Sequence, residues 1–443
     1  MSELHEKGDA SSYPPGLPAH LGGGLLLRAV RDTQDVQRLA HFNGLVNEDP
    51  AVGALTRWWL GGSHPAVTLP DFLYVEDTEK GEIVSTLGLL LQTWTYDGIP
   101  LRVGQVELVG THPDYRSRGL IRAQMEVIER MLEARGCALS CVEGIPHFYR
   151  RFGYEYAIPL GSCAKLSLEQ VPALAEGQEE PAAIRRMNVD TDVRSGMALY
   201  DAHASELCVV SVRHESLWGF QEAAPPGIPQ PLETYVVEEN QDIIGYFRVR
   251  KNMWGPLLEF AEGSARPSGQ LGGSQGAWMA VLRYARKLAA QRNYPELCFA
   301  LPRTHPLVTV ARYLGAESER QYAWQIRIMD HADFVRRIAS ALEERLAKSL
   351  LAGFSGGLNI NTMPFRIRLQ FNDGRLVSVR DGADQEDPWG LRMPPLLLAQ
   401  LLLGYRSCQE IMECHLDAFV RPAARQLADV LFPKTESFIY QAV

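Results

Sequence analysis

The chain contains no apolar run of the ~18 residues that a membrane-spanning helix requires. Its 443 residues hold 7 cysteines, an odd number with no Cys-x-x-Cys pair, which argues against a disulfide framework and favours a reducing, cytoplasmic setting. No cysteine or histidine pair has the spacing of a metal site. A basic excess is also missing, because 44 Lys and Arg oppose 53 Asp and Glu. The sequence therefore predicts neither a membrane protein nor a nucleic-acid-binding protein.

The composition is that of a globular protein, with 46% hydrophobic and 22% charged residues. At ~150 residues per domain, the length predicts about three domains. Residues 1–24 are rich in Pro, Gly and Ser and are interpreted as a flexible tail. The pattern of elements divides the rest into units at 25–165, 166–329 and 330–443.

The first unit alternates predicted strands with predicted amphipathic helices. Residues 120–135 show the clearest helical spacing, with Ile121, Met125, Ile128 and Leu132 on one face. Strands are predicted at 25–30, 72–76, 83–93, 103–111 and 137–142, and a further helix at 32–46. This order predicts an α+β (α/β layered) fold with a central mixed sheet.

The second unit repeats this order and ends with residues 309–316 in the place that residues 147–154 take in the first, which indicates an internal duplication. In the third unit, apolar residues spaced along 335–350 predict one long helix. A β-hairpin is predicted around the turn at 372–374, whose sequence is Asn-Asp-Gly.

The segment with the strongest functional signal is 107–122, which predicts a strand, a polar loop and the start of a helix. Unpaired amides and the helix dipole make such a loop an anion site. Gly119 permits close approach of the backbone, and Arg116, Arg118 and Arg122 add positive charge. The expected ligand is a pyrophosphate.

These residues resemble motif A of the GCN5-related N-acetyltransferases (GNAT), in which Arg or Gln is followed by x-x-Gly-x-Gly/Ala. Here Ile121 stands where that family favours Gly or Ala. Residues 112–122, His-Pro-Asp-Tyr-Arg-Ser-Arg-Gly-Leu-Ile-Arg, resemble the Arg-Arg-Arg-Gly-Leu-Leu-Arg version found in the enhanced intracellular survival (Eis) acetyltransferases. Residues 148–154, Phe-Tyr-Arg-Arg-Phe-Gly-Tyr, resemble a second segment of the same proteins.

The resemblance implies two tandem GNAT folds, the second without a working cofactor site, followed by a C-terminal α+β domain similar to sterol carrier proteins. It also implies a homo-hexamer and acetyl-CoA as cosubstrate. Tyr149 matches the tyrosine that protonates the leaving thiolate. The residues implied to contact the cofactor are Val109, Gly110 and Thr111 along the strand, Arg116, Ser117, Arg118, Gly119, Leu120, Ile121 and Arg122 at the pyrophosphate, and Gly144 and Ile145 after the next strand.

The sequence leaves two alternatives for the general base that accepts the proton of the amine. In Eis proteins the C-terminal carboxylate enters the first active site, which would make Val443 the base here. The last residues, Phe-Ile-Tyr-Gln-Ala-Val, depart from the tail usual in that family. A water relay through Glu107 or Glu143 is the other candidate.

The expected reaction is direct transfer of an acetyl group to an amine of a cationic small molecule, such as an aminoglycoside, or to a lysine side chain. Trp58 and Trp59 with Glu48 and Asp49 are either an aromatic and acidic acceptor pocket or ordinary helix packing. The alternative function is a non-enzymatic lipid- or acyl-CoA-binding protein that uses the C-terminal domain.

Overall fold

The computed structural model describes residues 14–161, 164–229, 231–252, 255–266, 274–318, 321–382 and 390–440. Within them the chain forms three sheets packed with helices. None of the described helices combines the length and apolar character needed to cross a bilayer.

The first part of the chain forms most of the largest sheet and the helices that cover it. Its strands are β1 (Ala19–Gly22), β2 (Leu25–Ala29), β3 (Phe72–Asp77), β4 (Glu82–Tyr96), β5 (Ile99–Thr111), β6 (Leu139–Val142) and β7 (Glu155–Pro159). Its helices are α1 (Thr33–Val46), α2 (Pro50–Leu60) and α3 (Leu120–Ala134). β1 pairs with β2, so the predicted tail of 1–24 is too long at its C-terminal end, where backbone hydrogen bonds hold the chain.

The second part of the chain builds a seven-stranded sheet and one strand that joins the first sheet. Its strands are β8 (Ala164–Ser167), β9 (Ala183–Arg186), β10 (Val209–Ser211), β11 (Glu233–Glu239), β12 (Asp242–Lys251), β13 (Leu257–Ala265), β14 (Glu296–Phe299) and β15 (Glu317–Ser318). Its helices are α4 (Val189–Ala204), α5 (Glu215–Glu222), α6 (Ser274–Gln291) and α7 (Pro306–Tyr313). β10 pairs with the end of β4.

The remaining elements are β16 (Ala323–Ile328), α8 (His331–Arg337), α9 (Ala339–Ala347), β17 (Gly356–Asn361), β18 (Arg366–Asn372), β19 (Arg375–Asp381), β20 (Leu391–Arg392), α10 (Pro395–Leu402), α11 (Cys408–Cys414), β21 (Phe419–Val420) and α12 (Pro422–Leu431). β17 to β21 form the third sheet. Its core is continuous with the first sheet, and the Tyr96 hydroxyl donates a buried hydrogen bond to the Leu402 carbonyl at 2.9 Å.

The first two sheets exchange strands in the same way. The first sheet ends β6-β16-β7 and the second ends β14-β8-β15. β16 continues the chain from β15 of the second sheet but joins the first, and β8 continues from β7 of the first sheet but joins the second. The predicted boundaries at 165/166 and 329/330 miss this exchange, because alternating hydrophobicity marks a strand without saying which sheet it joins. β16, which the prediction gave to the second unit, lies in the first sheet between β6 and β7.

Of three local elements, two have the structure that the sequence predicts. The helix predicted at 32–46 is α1, which Asp32 caps by accepting from the amides of Gln34 and Asp35 at 2.9 Å. The predicted hairpin is β18–β19, with positive φ at Asp373 and Gly374 as a type I′ turn requires. The predicted long helix over 335–350 is wrong, because the chain breaks at Ile338 between α8 and α9.

Candidate active site

A cleft opens where β5 and β6 separate. The parallel ladder between them runs only from Val103–Leu139 to Gln105–Cys141. β5 continues along β4 as far as Thr111, so its last six residues have lost their neighbour on the other side. A cavity of about 820 Å³ occupies this region, bounded by the end of β5, the start of α3 and the segment after β6.

A β-bulge changes the direction of β5 in the part that extends beyond its pairing with β6. Gly88 pairs with Glu107 and Thr86 with Gly110, so Leu108 and Val109 together oppose a single residue of β4. Leu108 has φ +49°, a left-handed conformation that is costly for a non-glycine residue. Such bulges recur beside active sites, where they turn the backbone toward a ligand. Val109, Gly110 and Thr111, which the resemblance implies to contact the cofactor, line the cavity. No sequence signal marked the bulge at Leu108.

The loop before α3 closes the other side of the cavity. Ser117 and Gly119 both have positive φ, at +62° and +78°, and Gly119 directly precedes the first residue of α3. The 15-residue helix therefore begins at the cavity with amide groups that have no intrahelical acceptor. Backbone amides in this kind of turn, together with the helix dipole, bind anions.

The predicted pyrophosphate residues lie on this loop with one exception. Arg116, Ser117, Gly119, Leu120, Ile121 and Arg122 line the cavity. Arg118 is outside this lining, because its guanidinium lies over the Tyr115 ring at 4.6 Å and donates to the Asp114 carbonyl at 3.0 Å. The Nε of Arg116 donates to the Thr111 carbonyl at 3.3 Å, which joins the loop to β5.

Tyr149 lies at the inner wall of the cavity, in a one-turn 3-10 helix over Tyr149–Phe152. Its side chain is buried, with Phe148 and Tyr154 packed edge-on at 5.0 Å and 6.0 Å. Burial raises the pKa of the Tyr149 phenol above its usual value of 10, and the carboxylate of Glu107 raises it further. The phenol therefore holds its proton at neutral pH, as a general acid must.

Gly144 and Ile145 follow β6 at the edge of the cavity. Ile145 lines the cavity and is exposed. Gly144 lies beneath Tyr149 instead of in the lining, since a Cβ placed on Gly144 would come within 2.1 Å of the Tyr149 ring. Six lining residues were missed by the sequence analysis: Val46, Asn47, Tyr115, Phe148, Arg151 and Phe152. Val46 and Asn47 come from the end of α1, far in sequence from the motif.

Comparison with known proteins identifies the chemistry of this part of the chain. Residues 60–157, which contain β5, the loop, α3 and Tyr149, match the acetyltransferase (GNAT) domain family. The chain carries a GNAT acyltransferase domain, and the protein is an acyltransferase.

Solved structures share the fold of this acyltransferase over nearly its whole length. A GCN5-related N-acetyltransferase from Anabaena variabilis has a TM-score of 0.68 at 15% identity. A probable N-acyltransferase of unknown function from Enterococcus faecalis has 0.71 at 14%. Eis1 from Mycobacterium abscessus has 0.60 at 16%. Each covers 94% of this chain and 99% of the other, and at these identities the likeness shows the fold alone.

Two carboxyl groups of the acyltransferase, Glu107 and Glu143, lie near each other, and Glu107 also lies near Tyr149. Burial raises the pKa of Glu107 to about 7, and the neighbouring charge of Glu143 also raises it. Gln105 Nε2 donates to Glu107 Oε1 at 2.5 Å. The pKa of Glu143 is raised because protein surrounds its carboxyl, although part of the side chain is exposed. Near neutral pH, Glu107 can therefore both accept and release a proton.

The raised pKa of Glu107 predicts a pH-dependent gain in stability for Glu107→Gln. In the folded protein this carboxyl ionises near pH 7 rather than near its usual 4.5, so the wild type loses stability as pH rises between these values. The variant should be more stable by about 3 kcal/mol above pH 7 and equal to the wild type below pH 4.5. Urea unfolding at pH 4.5 and pH 8 measures this difference. A gain of the same size at both pH values would contradict the shift.

Of the two alternatives for the aromatic and acidic cluster, an acceptor pocket or helix packing, the contacts favour helix packing. Trp58 stacks face to face on Phe220 of α5, with ring centroids 4.1 Å apart, and Trp59 is buried. Asp49 caps α2 by accepting from the Ala51 amide at 2.9 Å. These contacts account for the aromatic pair and Asp49 without a ligand.

The C-terminal segment runs toward the junction of the first two sheets. Phe438 forms a parallel bridge with Val210 of β10, which itself pairs with β4. Tyr440 is buried, its hydroxyl lies 2.7 Å from His203 Nε2, and its carbonyl accepts from the Ser211 hydroxyl at 2.9 Å. Val443, the predicted base, lies outside the described residues.

Proposed function

We propose that this acyltransferase transfers the acetyl group of acetyl-CoA to an amine of a cationic small molecule such as an aminoglycoside, or to a lysine side chain. The observation that carries the proposal is the separation of β5 and β6 above a cavity that ends at the N-terminus of α3. Such a cleft offers free strand backbone at one end and an anion site at the other. An elongated acyl thioester with a pyrophosphate needs both.

In this proposal the cofactor extends from the α3 loop to the bulge of β5. The amides of residues 117–122, with Arg116 and Arg122, hold the pyrophosphate. The pantetheine arm lies along Val109, Gly110 and Thr111 and passes Ile145. A backbone amide at the bulge polarises the thioester carbonyl, because fixed dipoles stabilise the negative charge that develops on its oxygen.

The reaction proceeds by direct attack. The neutral amine nitrogen forms a bond to the thioester carbon, and the C–S bond breaks as the carbonyl re-forms. The departing thiolate takes the proton of Tyr149, and the nitrogen loses its extra proton to a base. The place of Tyr149 at the inner wall of the cavity supports the role of acid, and its phenol is protonated before the thiolate leaves.

The base in this proposal is the carboxylate of Val443, with a water relay through Glu107 or Glu143 as the alternative. The described segment ending at Tyr440 runs parallel to β10, and so along β4 from Tyr96 toward the end that pairs with the bulge, which supports the first. The pKa of Glu107, about 7, supports the second, since a base of this pKa works near neutral pH.

Extending the chain by a Gly-Ser pair after Val443 distinguishes between the two candidate bases. If the terminal carboxylate accepts the proton, the extension should lower kcat by on the order of 100-fold and change the affinity for acetyl-CoA by less than about twofold. Steady-state turnover and equilibrium titration with acetyl-CoA measure the two effects. Unchanged turnover in the extended protein would eliminate the terminal carboxylate, and Glu107→Gln would then be expected to lose the activity.

The structure of the second sheet supports the proposal that each chain has a single cofactor site. Its parallel pair β13–β14 corresponds to β5–β6, but beyond this ladder the buried side chain of His305 lies against Gly263 of β13. His305 Nε2 lies 2.9 Å from the Gly263 carbonyl, and Trp278 packs on the His305 ring. We propose that His305 fills the space that acetyl-CoA takes in the first sheet.

Release of coenzyme A thiol from acetyl-CoA, over a panel of aminoglycosides, polyamines and lysine peptides, tests the proposed function. Release with one acceptor class supports the proposal and selects the substrate class. Absence of release with every acceptor, together with binding of a fluorescent fatty acid, would favour the lipid-binding alternative. A light-scattering mass of one or two chains would exclude the hexamer that the resemblance implies.

A further inference from the structure

The segment after β6 carries Gly144, Ile145 and Tyr149 but lies outside the sheet. β6 ends at Val142, and the next residues run as a loop to the 3-10 helix at Tyr149. His147 in this loop has φ +64°, which a non-glycine residue adopts at a cost. A loop of this kind needs contacts from elsewhere to hold one conformation.

Two side chains at the start of β16 supply those contacts. The Tyr322 hydroxyl donates to the Gly144 carbonyl at 2.5 Å. Gln325 Nε2 donates to the same carbonyl at 2.8 Å and to the Ile145 carbonyl at 3.4 Å. Gln325 is 1% exposed, so water does not compete for these bonds.

Gly144, whose carbonyl accepts both hydrogen bonds, packs against the ring of Tyr149. A Cβ on Gly144 would lie 2.1 Å from Cε2 and 2.3 Å from Cδ2 of Tyr149, so only glycine permits this approach. A shift of the Gly144 carbonyl therefore moves the phenol ring. The chain of contacts runs from β16 through one carbonyl to the proposed general acid.

We infer that Tyr322 and Gln325 are positioning residues for Tyr149, supplied to the active site by the strand that the second part of the chain inserts into the first sheet. The inference rests on the proposed function, in which Tyr149 protonates the leaving thiolate. If the inference holds, the exchange of β16 into the first sheet matters for the chemistry. Tyr322, just before β16, and Gln325, within β16, then hold the loop against which Tyr149 packs.

The test is the double variant Tyr322→Phe/Gln325→Met, which removes the donors and nearly conserves side-chain volume. We expect kcat to fall about tenfold, because displacement of a catalytic group by a fraction of an ångström is costly. Equilibrium affinity for coenzyme A should stay within about twofold, since the α3 loop is untouched. Tyr156→Phe is the matched control: it removes a hydroxyl that lies 3.2 Å from the Tyr322 hydroxyl and leaves both hydrogen bonds to Gly144. Its kcat should equal that of the wild type.

A mutant cycle separates positioning from a general loss of structure. In a Tyr149→Phe background, the same double change should lower kcat by less than about twofold, because the group it positions is already absent. An equal tenfold loss in both backgrounds, or no loss in either, would overturn the inference. If the double variant fails to fold, Tyr322→Phe alone takes its place, with an expected loss of about threefold.

The outcomes also distinguish this inference from the proposed function. Full activity of Tyr149→Phe would overturn the assigned acid, and the inference with it. A large loss in Tyr149→Phe with none in Tyr322→Phe/Gln325→Met would overturn the inference alone.

Discussion

Tyr149→Phe is expected to lower kcat by on the order of 100-fold while the affinity for acetyl-CoA changes little. The substitution removes only the phenolic oxygen, and the ring keeps its packing on Gly144 and Phe148. Without this acid the thiolate must leave with its charge uncompensated or take a proton from water. Single-turnover rates at saturating acetyl-CoA and acceptor measure the chemical step directly.

Tyr154→Phe is the matched control for this loss. Tyr154 is a fully buried tyrosine 6.0 Å from Tyr149, and its hydroxyl lies 2.7 Å from that of Ser140. Removing its oxygen should lower the free energy of unfolding by about 1 kcal/mol and leave kcat within about threefold. Equal turnover losses in the two variants would show that Tyr149 acts through packing and not as an acid.

Gly119→Asp should weaken acetyl-CoA binding by about 10- to 100-fold relative to Gly119→Asn. Both residues tolerate the positive φ of this position, so backbone strain cancels in the comparison. The space that a Cβ would enter is open. A carboxylate there faces the pyrophosphate of the cofactor, and two such charges ~4 Å apart repel by about 1 to 4 kcal/mol. Titration at low and high salt measures the difference, which should shrink as salt screens the repulsion.

Gly119→Asp, the variant expected to bind acetyl-CoA more weakly, should be more stable than Gly119→Asn. Gly119 precedes α3, and a negative charge at a helix N-terminus is favourable by about 0.3 to 1 kcal/mol. Without cofactor, the Asp variant should therefore have the higher Tm even though it binds more weakly. Equal acetyl-CoA affinity of the two variants would place the pyrophosphate elsewhere.

The local features of the site could be predicted from the sequence. The Arg-x-x-Gly spacing predicted a helix N-terminus at Leu120, and the hydrophobic period of 120–135 predicted the face that α3 buries. Both depend on neighbours within a few residues, which a sequence displays directly.

The contacts that complete the site depend on distant parts of the chain. Val46 reaches the cavity from α1 and lies against Gly110, and Gln325 reaches Gly144 from β16. Neither has a local signal, because strand pairing is decided by packing of the whole sheet. The bulge at Leu108 is equally invisible, since nothing in the alternation of β5 marks the extra residue.

The central claim is that the cleft between β5 and β6 transfers an acyl group to an amine. The most direct measurement is mass spectrometry of the acceptor after reaction with isotope-labelled acetyl-CoA, alongside the thiol released. The account predicts one labelled acetyl group on an acceptor nitrogen for each thiol released by the wild type, and far less of both by Tyr149→Phe. Release of thiol with no labelled acceptor, or equal labelling by Tyr149→Phe, would contradict it.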